Sequence, residues 1–187
     1  MDTLSNLRLK RKEEDILSST NLIKKGIVLD KLFESIIVDN INIDDILIGD
    51  KNAIVLATRL LGYGADYNVS FYSSKAGKSI ETKVDLSQIK TKDVDYSNFT
   101  NQNEFEFTTP TGNKLVFKLL THGDEKLIDK DIAALEKMNK DTSYEITTRL
   151  RYMIKSVDGN SDLGHINKFI NNAFLAKDSR AFREHIK

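Results

Sequence analysis

The hydrophobic positions in the first third of the chain follow the spacing of α-helices. Val28, Leu32 and Ile36 recur every four residues, which places them on one face of a helix. The later segment 53–61 is apolar on nearly all sides apart from Arg59, and helices of this kind are usually buried. Residues 1–61 are therefore predicted to form helices, of which the last is buried.

The middle third changes to alternation of apolar and polar residues, which is typical of half-buried β-strands. One alternating pair, 67–72 and 80–86, flanks the sequence SSKAGK, and a second pair, 105–107 and 115–119, flanks TTPTGN. Each pair predicts an antiparallel hairpin, because Gly, Pro, Ser and Asn supply the backbone conformations of tight turns. We expect two hairpins over residues 62–120, each with one half-buried face.

The last third returns to helical spacing. Asp141 or Thr142 is expected to cap the next helix, and residues 142–145 fit a capping box. The buried face of that helix is predicted to run from Ile146 to Val157. Asp178 is placed as the N-cap of a short final helix, in which Phe182 is directed inward. Residues 121–187 are thus predicted to form a helical bundle. The other apolar stripes of this region are Ile128, Ile132 and Leu135, then Ile166, Phe169, Ile170, Ala173 and Phe174, and finally Ile186.

The order of these elements predicts the fold class. Helices come first, hairpins second and helices last, and runs of each type, as opposed to alternation, are typical of α+β proteins. The chain has 187 residues, which suits one domain. We expect a single α+β domain over residues 1–187, with N-terminal helices, central antiparallel β-hairpins and a C-terminal helical bundle.

Charge is balanced over the chain, with 28 Lys and Arg residues against 28 Asp and Glu residues. Such a chain has no global field that would attract nucleic acid or an acidic membrane. No apolar run approaches the roughly 20 residues that a membrane span needs, and the N-terminus lacks the apolar core of a signal peptide. We expect a soluble protein that is made in the cytoplasm and binds neither nucleic acid nor membrane.

Sequence patterns for catalysis and metal binding are weak. The chain has no cysteine, and His122, His165 and His185 lie far apart, with no second ligand three or four positions away. No GxSxG pattern marks a nucleophilic serine. Gly62-Tyr63-Gly64 follows a helix and precedes a strand, the reverse of a phosphate-binding loop, and is interpreted as a helix C-cap. We therefore expect no enzymatic activity, no metal and no cofactor.

Four charged residues are candidates for structural or interface roles. Arg59 lies in an apolar helix, so its guanidinium must find a carboxylate or backbone carbonyl groups, or else reach the surface along the stem of the side chain. Asp66 and Asp50 are near in sequence, and a structural ion pair is favoured over a ligand contact. The same logic applies to Asp178, which caps a helix, and to Arg180, which braces a neighbouring helix or meets a partner protein.

Five ordered blocks are distributed over most of the chain, from about residue 12 to residue 186. They are RKEEDILSSTNLIKKGIVLDKLFESII, LIGDKNAIVLATRLLGYGADYNVSF, KVDLSQI, TTPTGNKLVFKLLT and DSRAFREHI. In this order they resemble the baseplate hub assembly family of T-even-type tailed bacteriophages. The strongest blocks are Gly49 to Phe71 and Asp178 to Ile186.

The resemblance implies a non-enzymatic structural protein or assembly factor that helps to build the central hub of a tail baseplate through protein–protein contacts. Its partners would be other hub, spike or tape-measure proteins, and an oligomer is allowed. It would act in the host cytoplasm during assembly, and would remain in the virion tail baseplate if it is a permanent component. The alternative is an assembly chaperone that is absent from the mature virion. In either case we expect exposed apolar surface, with the N-terminal helices as its candidates.

Many members of this family carry a zinc knuckle of the CPxCG type on the first hairpin. This chain has Ser73 and Ala76 at the two cysteine positions and retains Gly77. A knuckle of this kind stabilises a hairpin that is too small for a core of its own. We interpret Ser73 and Ala76 as degenerate knuckle positions, and expect the apolar face to stabilise the hairpin instead.

Two other function classes remain as alternatives. A small hydrolase would use Asp and Ser residues at the hairpin tips, and would need a cleft that holds carboxylates with shifted pKa values. A nucleic-acid-binding module would combine the basic residues 8–12 with Tyr67, Phe71 and Tyr72. The zero net charge argues against that module.

Overall fold

The protein has an α+β fold, as the order of its elements predicts. The computed structural model describes residues 11–37, 41–90, 103–138 and 144–186. These residues form two compact units. The N-terminal unit contains the described residues up to 43 and those from 49 to 90, and the C-terminal unit contains 44–48 and the described residues from 103 onward. Whether the chain behaves as a single domain stays a prediction.

The described residues in the first part of the chain form four α-helices: α1 (Arg11–Ser18), α2 (Thr20–Lys24), α3 (Val28–Ile36) and α4 (Ile48–Tyr63). Of the stripe predicted on α3, Leu32 is buried, whereas Val28 and Ile36 are half-buried. Phe33, which was not part of that stripe, is the second buried residue of the helix. Helices α1 and α3 are joined by a 2.6 Å hydrogen bond from the Ser35 hydroxyl to the Glu13 carboxylate.

The prediction that α4 is buried on nearly all sides is wrong. Within its 16 residues only Lys51 and Thr58 are buried, and Leu61 is 50% exposed. A helix is covered on all sides only where neighbouring elements surround it. The other described elements of the N-terminal unit are short helices and one hairpin, which supply too little surface to cover α4.

The first predicted hairpin is present as β1 (Asp66–Ser73) and β2 (Lys78–Asp85). The two strands pair antiparallel in an unbroken register from Asp66↔Asp85 to Ser73↔Lys78. Gly77 has φ +63° in the connecting turn, a conformation that favours glycine. A short 3₁₀ turn, Leu86–Gln88, follows β2.

The C-terminal unit contains a three-stranded antiparallel sheet in the order β3-β4-β5. Its strands are β3 (Phe105–Thr108), β4 (Lys114–Phe117) and β5 (Ile154–Val157). Strands β3 and β4 are the second predicted hairpin, which is confirmed. Strand β5 corrects the helix predicted to extend from Ile146 to Val157, because that helix ends at Met153.

The reason for this error lies in long-range pairing. Ile154 and Val157 are buried opposite Phe117 and Leu115 of β4. Apolar residues three positions apart also fit a helical stripe, so periodicity does not separate the two states in so short a segment. Strand pairing with β4 therefore decides the conformation.

The described residues of this unit also form four helices: α5 (His122–Met138), α6 (Glu145–Met153), α7 (Leu163–Asn172) and α8 (Ala176–His185). Asp162 caps α7 by accepting a 2.8 Å hydrogen bond from the His165 N–H group. The two capping residues predicted as alternatives, Asp141 and Thr142, lie outside the described residues. Helix α6 itself begins after Tyr144, which makes no side-chain capping bond.

The core of the C-terminal unit lies between the sheet and these helices. Phe182 of α8 is fully buried, and its ring lies 5.0 Å edge-on from the ring of Phe117 and 5.5 Å from that of Phe107. Aromatic pairs in such geometries add to the energy of burial. The buried members of this core are Leu115, Phe117, Leu120, Ile128, Leu150, Met153, Ile154, Val157, Ile166, Phe169, Ile170 and Phe182.

Candidate interaction surface

The hairpin of the N-terminal unit presents an apolar face that is largely exposed. We define the hairpin face as Tyr67, Val69 and Phe71 of β1 with Ile80, Thr82 and Val84 of β2, which lie directly opposite one another. Tyr67 is 46% exposed, Phe71 52% and Val84 40%. The expectation of a half-buried face is thus wrong for these three side chains, because too little of the unit covers them.

The N-terminal unit also has little apolar core. Among its described residues, the buried hydrophobic side chains are only Leu32 and Phe33. Exposed large hydrophobic side chains are by contrast frequent in it, namely Ile23, Ile41, Leu61, Tyr63, Tyr67, Phe71, Tyr72, Val84 and Ile89. Scattered exposed hydrophobic residues are normal, but a contiguous patch marks an interaction site. The hairpin face is such a patch.

A shallow groove continues the hairpin face toward α4. Its walls are Asn52, Val55, Leu56 and Arg59 of α4, with Tyr67 of β1 and Leu86 beyond β2. Apolar walls with one cationic side chain suit an apolar ligand or peptide side chain better than a highly charged one. The N-terminal unit thus offers a flat apolar face beside a groove.

Arg59 joins α4 to the start of β1. Its guanidinium donates hydrogen bonds to the carbonyl oxygens of Gly64 and Asp66, each at 2.9 Å. The same group lies 5.2 Å from the ring centre of Tyr63 and 5.7 Å from that of Tyr67, within the range of cation–π attraction. The favoured ion pair is therefore wrong for Arg59, since its partners are backbone carbonyls and aromatic rings.

The carboxylate of Asp66 has a different partner. It forms an exposed ion pair with Lys83 on the neighbouring strand. Exposed pairs of this kind contribute little to stability. Asp66 therefore acts on Arg59 through its backbone carbonyl and not through its charge.

The two degenerate knuckle positions meet in the tight turn between β1 and β2. The Ala76 N–H group lies 3.2 Å from both the Ser73 hydroxyl oxygen and the Ser73 carbonyl oxygen. Ser73 thus satisfies the turn with a side-chain and a backbone acceptor, as is common in short turns. These contacts form an ordinary hydrogen-bonded turn.

The histidines lie at helix ends, as the sequence indicates. His122 is buried at the start of α5, and His165 is exposed in the first turn of α7. His185 lies in the last turn of α8, 4.9 Å from the ring of Phe107 and 5.9 Å from that of Phe117. Within the described parts of the chain, no group of three or more His, Cys, Asp or Glu side chains is placed to hold a metal ion.

Gly62-Tyr63-Gly64 ends α4, as interpreted from the sequence. The Gly64 N–H group donates to the Leu60 carbonyl at 3.0 Å, and Gly64 has φ +79°. This left-handed residue after the last turn is the usual glycine C-cap.

Asp178 is not the N-cap of α8. Leu175 occupies that position, and Asp178 lies in the first turn with its side chain fully buried. Its carboxylate accepts a 2.7 Å hydrogen bond from the Thr111 hydroxyl and a 3.2 Å bond from the Thr111 N–H group. A negative charge in the first turn also interacts favourably with the helix dipole. Asp178 thus fastens α8 to the turn between β3 and β4.

A second carboxylate, that of Asp158, bonds the residues that end the same turn. Asp158 accepts a 2.8 Å bond from the Lys114 N–H group and a 3.1 Å bond from the Asn113 amide. Both bonds lower the pKa of Asp158 below its ordinary value, and the bond from the Lys114 N–H group is the larger cause. Asp158 also has φ +49°, which Asp and Asn tolerate better than most residues.

These contacts bear on the alternative of a hydrolase with carboxylates at the hairpin tips. A general acid needs a raised pKa, whereas the pKa of Asp158 is lowered. Asp178 has both carboxylate oxygens bonded to Thr111. The observed hydrogen bonds give the two aspartates structural roles at the turn.

Arg180 pairs within its own helix. Its Nε atom lies 2.9 Å from a carboxylate oxygen of Glu184, four residues later, and this contact raises the pKa of Arg180. Both side chains are exposed. Arg180 contacts its own helix, so the prediction that it braces a neighbouring helix is wrong. A role of Arg180 in partner binding stays a prediction.

Sequence reasoning missed two polar features of the C-terminal unit. Lys118 contacts both carboxylate oxygens of Asp124, at 2.7 and 2.8 Å. Thr121 and Asp124 exchange reciprocal hydrogen bonds at the start of α5, the geometry of a capping box. The T-x-x-D spacing would have indicated the box. No pattern of neighbouring residues could indicate the contact between Thr111 and Asp178, because these residues lie 67 positions apart in the sequence.

None of the helices that the structure describes combines the length and the apolar character that crossing a bilayer requires. Comparison with known proteins gives no further guide to identity, since no family model, no curated protein and no solved structure matches the chain.

Proposed function

We propose that this chain is a non-enzymatic structural protein or assembly factor of a bacteriophage tail baseplate, which helps to build the central hub through protein–protein contacts. The five ordered sequence blocks that resemble the baseplate hub assembly family support this proposal. The partners are other hub, spike or tape-measure proteins. The protein acts in the host cytoplasm during assembly, and it occupies the virion tail baseplate if it is a permanent component.

The observation that carries the proposal is the exposed hairpin face. Tyr67, Phe71 and Val84 leave apolar surface on one side of a two-stranded ribbon, in a unit with few buried hydrophobic residues. A protein that acts by assembly needs such surface, whereas an enzyme needs a cleft with convergent reactive groups. The N-terminal helices were the candidates from sequence, and the face proposed here lies on the hairpin that follows them.

The test is a pull-down of the tagged full-length chain from phage-infected cells, with the partners identified by mass spectrometry. Phe71→Asp places a charge in the hairpin face, and it is expected to remove hub, spike or tape-measure proteins from the recovered set. Leu163→Asp is the matched control, because Leu163 is exposed on α7 and an acidic residue suits the first turn of a helix. Recovery of the same baseplate partners by both variants would contradict the role of the hairpin face.

The two versions of the proposal differ in the mature particle. A permanent component is expected among the proteins of intact virions, whereas an assembly chaperone is expected in infected cells and absent from purified particles. Quantitative mass spectrometry of both samples separates them. Recovery of enzymes of host metabolism alone, with no tail protein, would contradict the proposed function as a whole.

A further inference from the structure

The outer edge of β2 carries an inference that does not depend on the proposed function. Among the residues that the structure describes, the hairpin is a two-stranded sheet, so each strand has one edge without a described strand partner. The Leu86 N–H group donates to the Ala65 carbonyl at 2.9 Å, which makes Ala65 and Leu86 a hydrogen-bonded pair. Such pairs alternate with non-hydrogen-bonded pairs along an antiparallel ladder. The register therefore directs the backbone groups of Ser79, Glu81, Lys83 and Asp85 away from β1.

The two edges of the hairpin are not equivalent. On the β1 edge the carbonyl group of Asp66 already accepts a hydrogen bond from Arg59. Along β2, every side chain except that of Ile80 is exposed. An exposed edge strand is a template for pairing with another chain. The β2 edge is thus the better candidate for such pairing.

The sequence of β2 is complementary to itself when two copies run antiparallel. Outward-facing residues must lie opposite outward-facing residues, so a two-fold axis passes through one residue of the strand. An axis at Thr82 places Glu81 of each copy opposite Lys83 of the other. An axis at Glu81 or at Lys83 places two like charges opposite each other, and axes nearer the strand ends pair fewer residues. Opposite charges in cross-strand pairs stabilise a sheet, and like charges destabilise it.

The same register also matches the hairpin face. Ile80 lies opposite Val84 of the second copy, and the two Thr82 residues lie opposite each other on the axis. Apolar β-branched pairs and Thr–Thr pairs are favourable across strands. The current partner of Lys83, Asp66, forms only an exposed ion pair with it, so Lys83 can turn to a new carboxylate at little cost.

We propose that two copies of this chain pair through β2, antiparallel and with a two-fold axis at Thr82, to form a four-stranded sheet. An isolated two-stranded hairpin is marginally stable in water, and three or more strands with an apolar face are needed for independent stability. Pairing doubles the number of strands and joins two hairpin faces into one surface. The interface is isologous and closes, so it gives a dimer and not a filament.

The first test measures the mass of the full-length chain in solution by sedimentation equilibrium over a range of concentrations. The chain is expected at twice its mass of 21.2 kDa at the upper end of that range. Glu81→Lys and Lys83→Glu each create two like-charged pairs and are expected to raise the dimer dissociation constant about tenfold. The double variant Glu81→Lys/Lys83→Glu restores opposite charges and the wild-type constant, and so does an equimolar mixture of the two single variants.

The second test locates the axis by disulfide formation. The chain has no cysteine, so Thr82→Cys introduces a single thiol on the proposed axis. Residues of a non-hydrogen-bonded pair lie about 4.5 Å apart at Cα, within the range that a disulfide spans. Glu81→Cys is the control, because the two copies of residue 81 are offset by two residues and lie beyond roughly 7 Å. Fast oxidation to a covalent dimer is expected for Thr82→Cys only.

Three outcomes would overturn the proposal. The chain could sediment at its monomer mass at all concentrations, in which case Glu81 and Lys83 only protect the edge from aggregation. A dimer whose dissociation constant is unchanged by both charge reversals would have its interface elsewhere. Equal rates of cross-linking for Thr82→Cys and Glu81→Cys exclude the register at Thr82. Circular dichroism of each variant confirms that the fold is retained.

Discussion

The carboxylate of Asp178 and the hydroxyl group of Thr111 are 2.7 Å apart, although 67 positions of sequence separate them. The side chain of Asp178 is fully buried, so this hydrogen bond lies in a medium that strengthens it. Together with the bond from the Thr111 N–H group, it attaches α8 to the turn between β3 and β4. One aspartate thus fixes the position of the last described helix.

Replacing Asp178 with alanine is expected to lower the free energy of unfolding by about 2–3 kcal/mol, because two hydrogen bonds to a buried carboxylate are lost. Urea denaturation followed by circular dichroism measures the change. Asp129→Ala on the exposed side of α5 is the control and is expected to cost less than about 0.5 kcal/mol. A cost for Asp178→Ala that is no larger than the control would contradict the attachment.

Asp158 is expected to make stability depend on pH. Its pKa is lowered in the folded protein, chiefly by the Lys114 N–H group and then by the Asn113 amide. A carboxyl with a lowered folded pKa stabilises the fold above its unfolded pKa and loses that contribution as the pH falls through the folded value. Asp158→Asn keeps a residue that tolerates φ +49° but removes the charge.

The variant Asp158→Asn should therefore be less stable than the wild type near neutral pH. The difference in unfolding free energy should shrink as the pH falls below the ordinary aspartate pKa of 3.8. Urea denaturation at a series of pH values measures this difference. A gap between the two proteins that stays constant down to full protonation would argue against the bonds to Lys114 and Asn113.

Local patterns in the sequence predicted most elements of the fold. Apolar residues recur every four positions in 28–36 and alternate with polar residues in 67–72. These patterns involve only near neighbours in the sequence, and the corresponding α3 and β1 are present. Strand β5 was missed because Ile154 and Val157 adopt their conformation through pairing with β4, which is distant in sequence. Periodicity carries no information on such partners.

The candidate site also combines features that the sequence indicates with features that depend on packing. A sequence can indicate that Arg59 needs polar partners, but not that two backbone carbonyl groups supply them. A sequence can place Asp178 near the start of a helix. In the structure, however, its carboxylate accepts hydrogen bonds from Thr111 and does not cap the helix. The exposure of the hairpin face depends on how little of the unit covers it, which is a property of the whole packing.

Arg59→Lys is expected to destabilise the start of β1. A lysine ammonium has no planar fork, so it cannot bond the carbonyl groups of Gly64 and Asp66 in the observed way, and about 1 kcal/mol is expected to be lost. Hydrogen exchange of the β1 amides measures the local effect. Asp66→Ala is the control, because the carboxylate of Asp66 bonds Lys83 and not Arg59. Faster exchange in Asp66→Ala than in Arg59→Lys would indicate that the carboxylate matters more.

The hairpin is expected to keep its structure without zinc. Ser73 and Ala76 form a hydrogen-bonded turn, and the chain lacks the thiolates that structural zinc sites usually use. A chelator should therefore leave the circular dichroism spectrum and the melting temperature of the purified protein unchanged. Elemental analysis provides the second readout, and one equivalent of zinc per chain would refute this expectation.

The position of Phe182 constrains when the C-terminal unit can fold. Its ring is fully buried and contacts Phe107 and Phe117, so the sheet lacks a central piece of its core until residue 182 is available. During synthesis at about 5–20 residues per second, β3 and β4 leave the ribosome several seconds before α8 does. The nascent chain therefore exposes Phe107 and Phe117 in that interval. A chaperone that binds aromatic segments would find these two residues accessible only until α8 has left the ribosome.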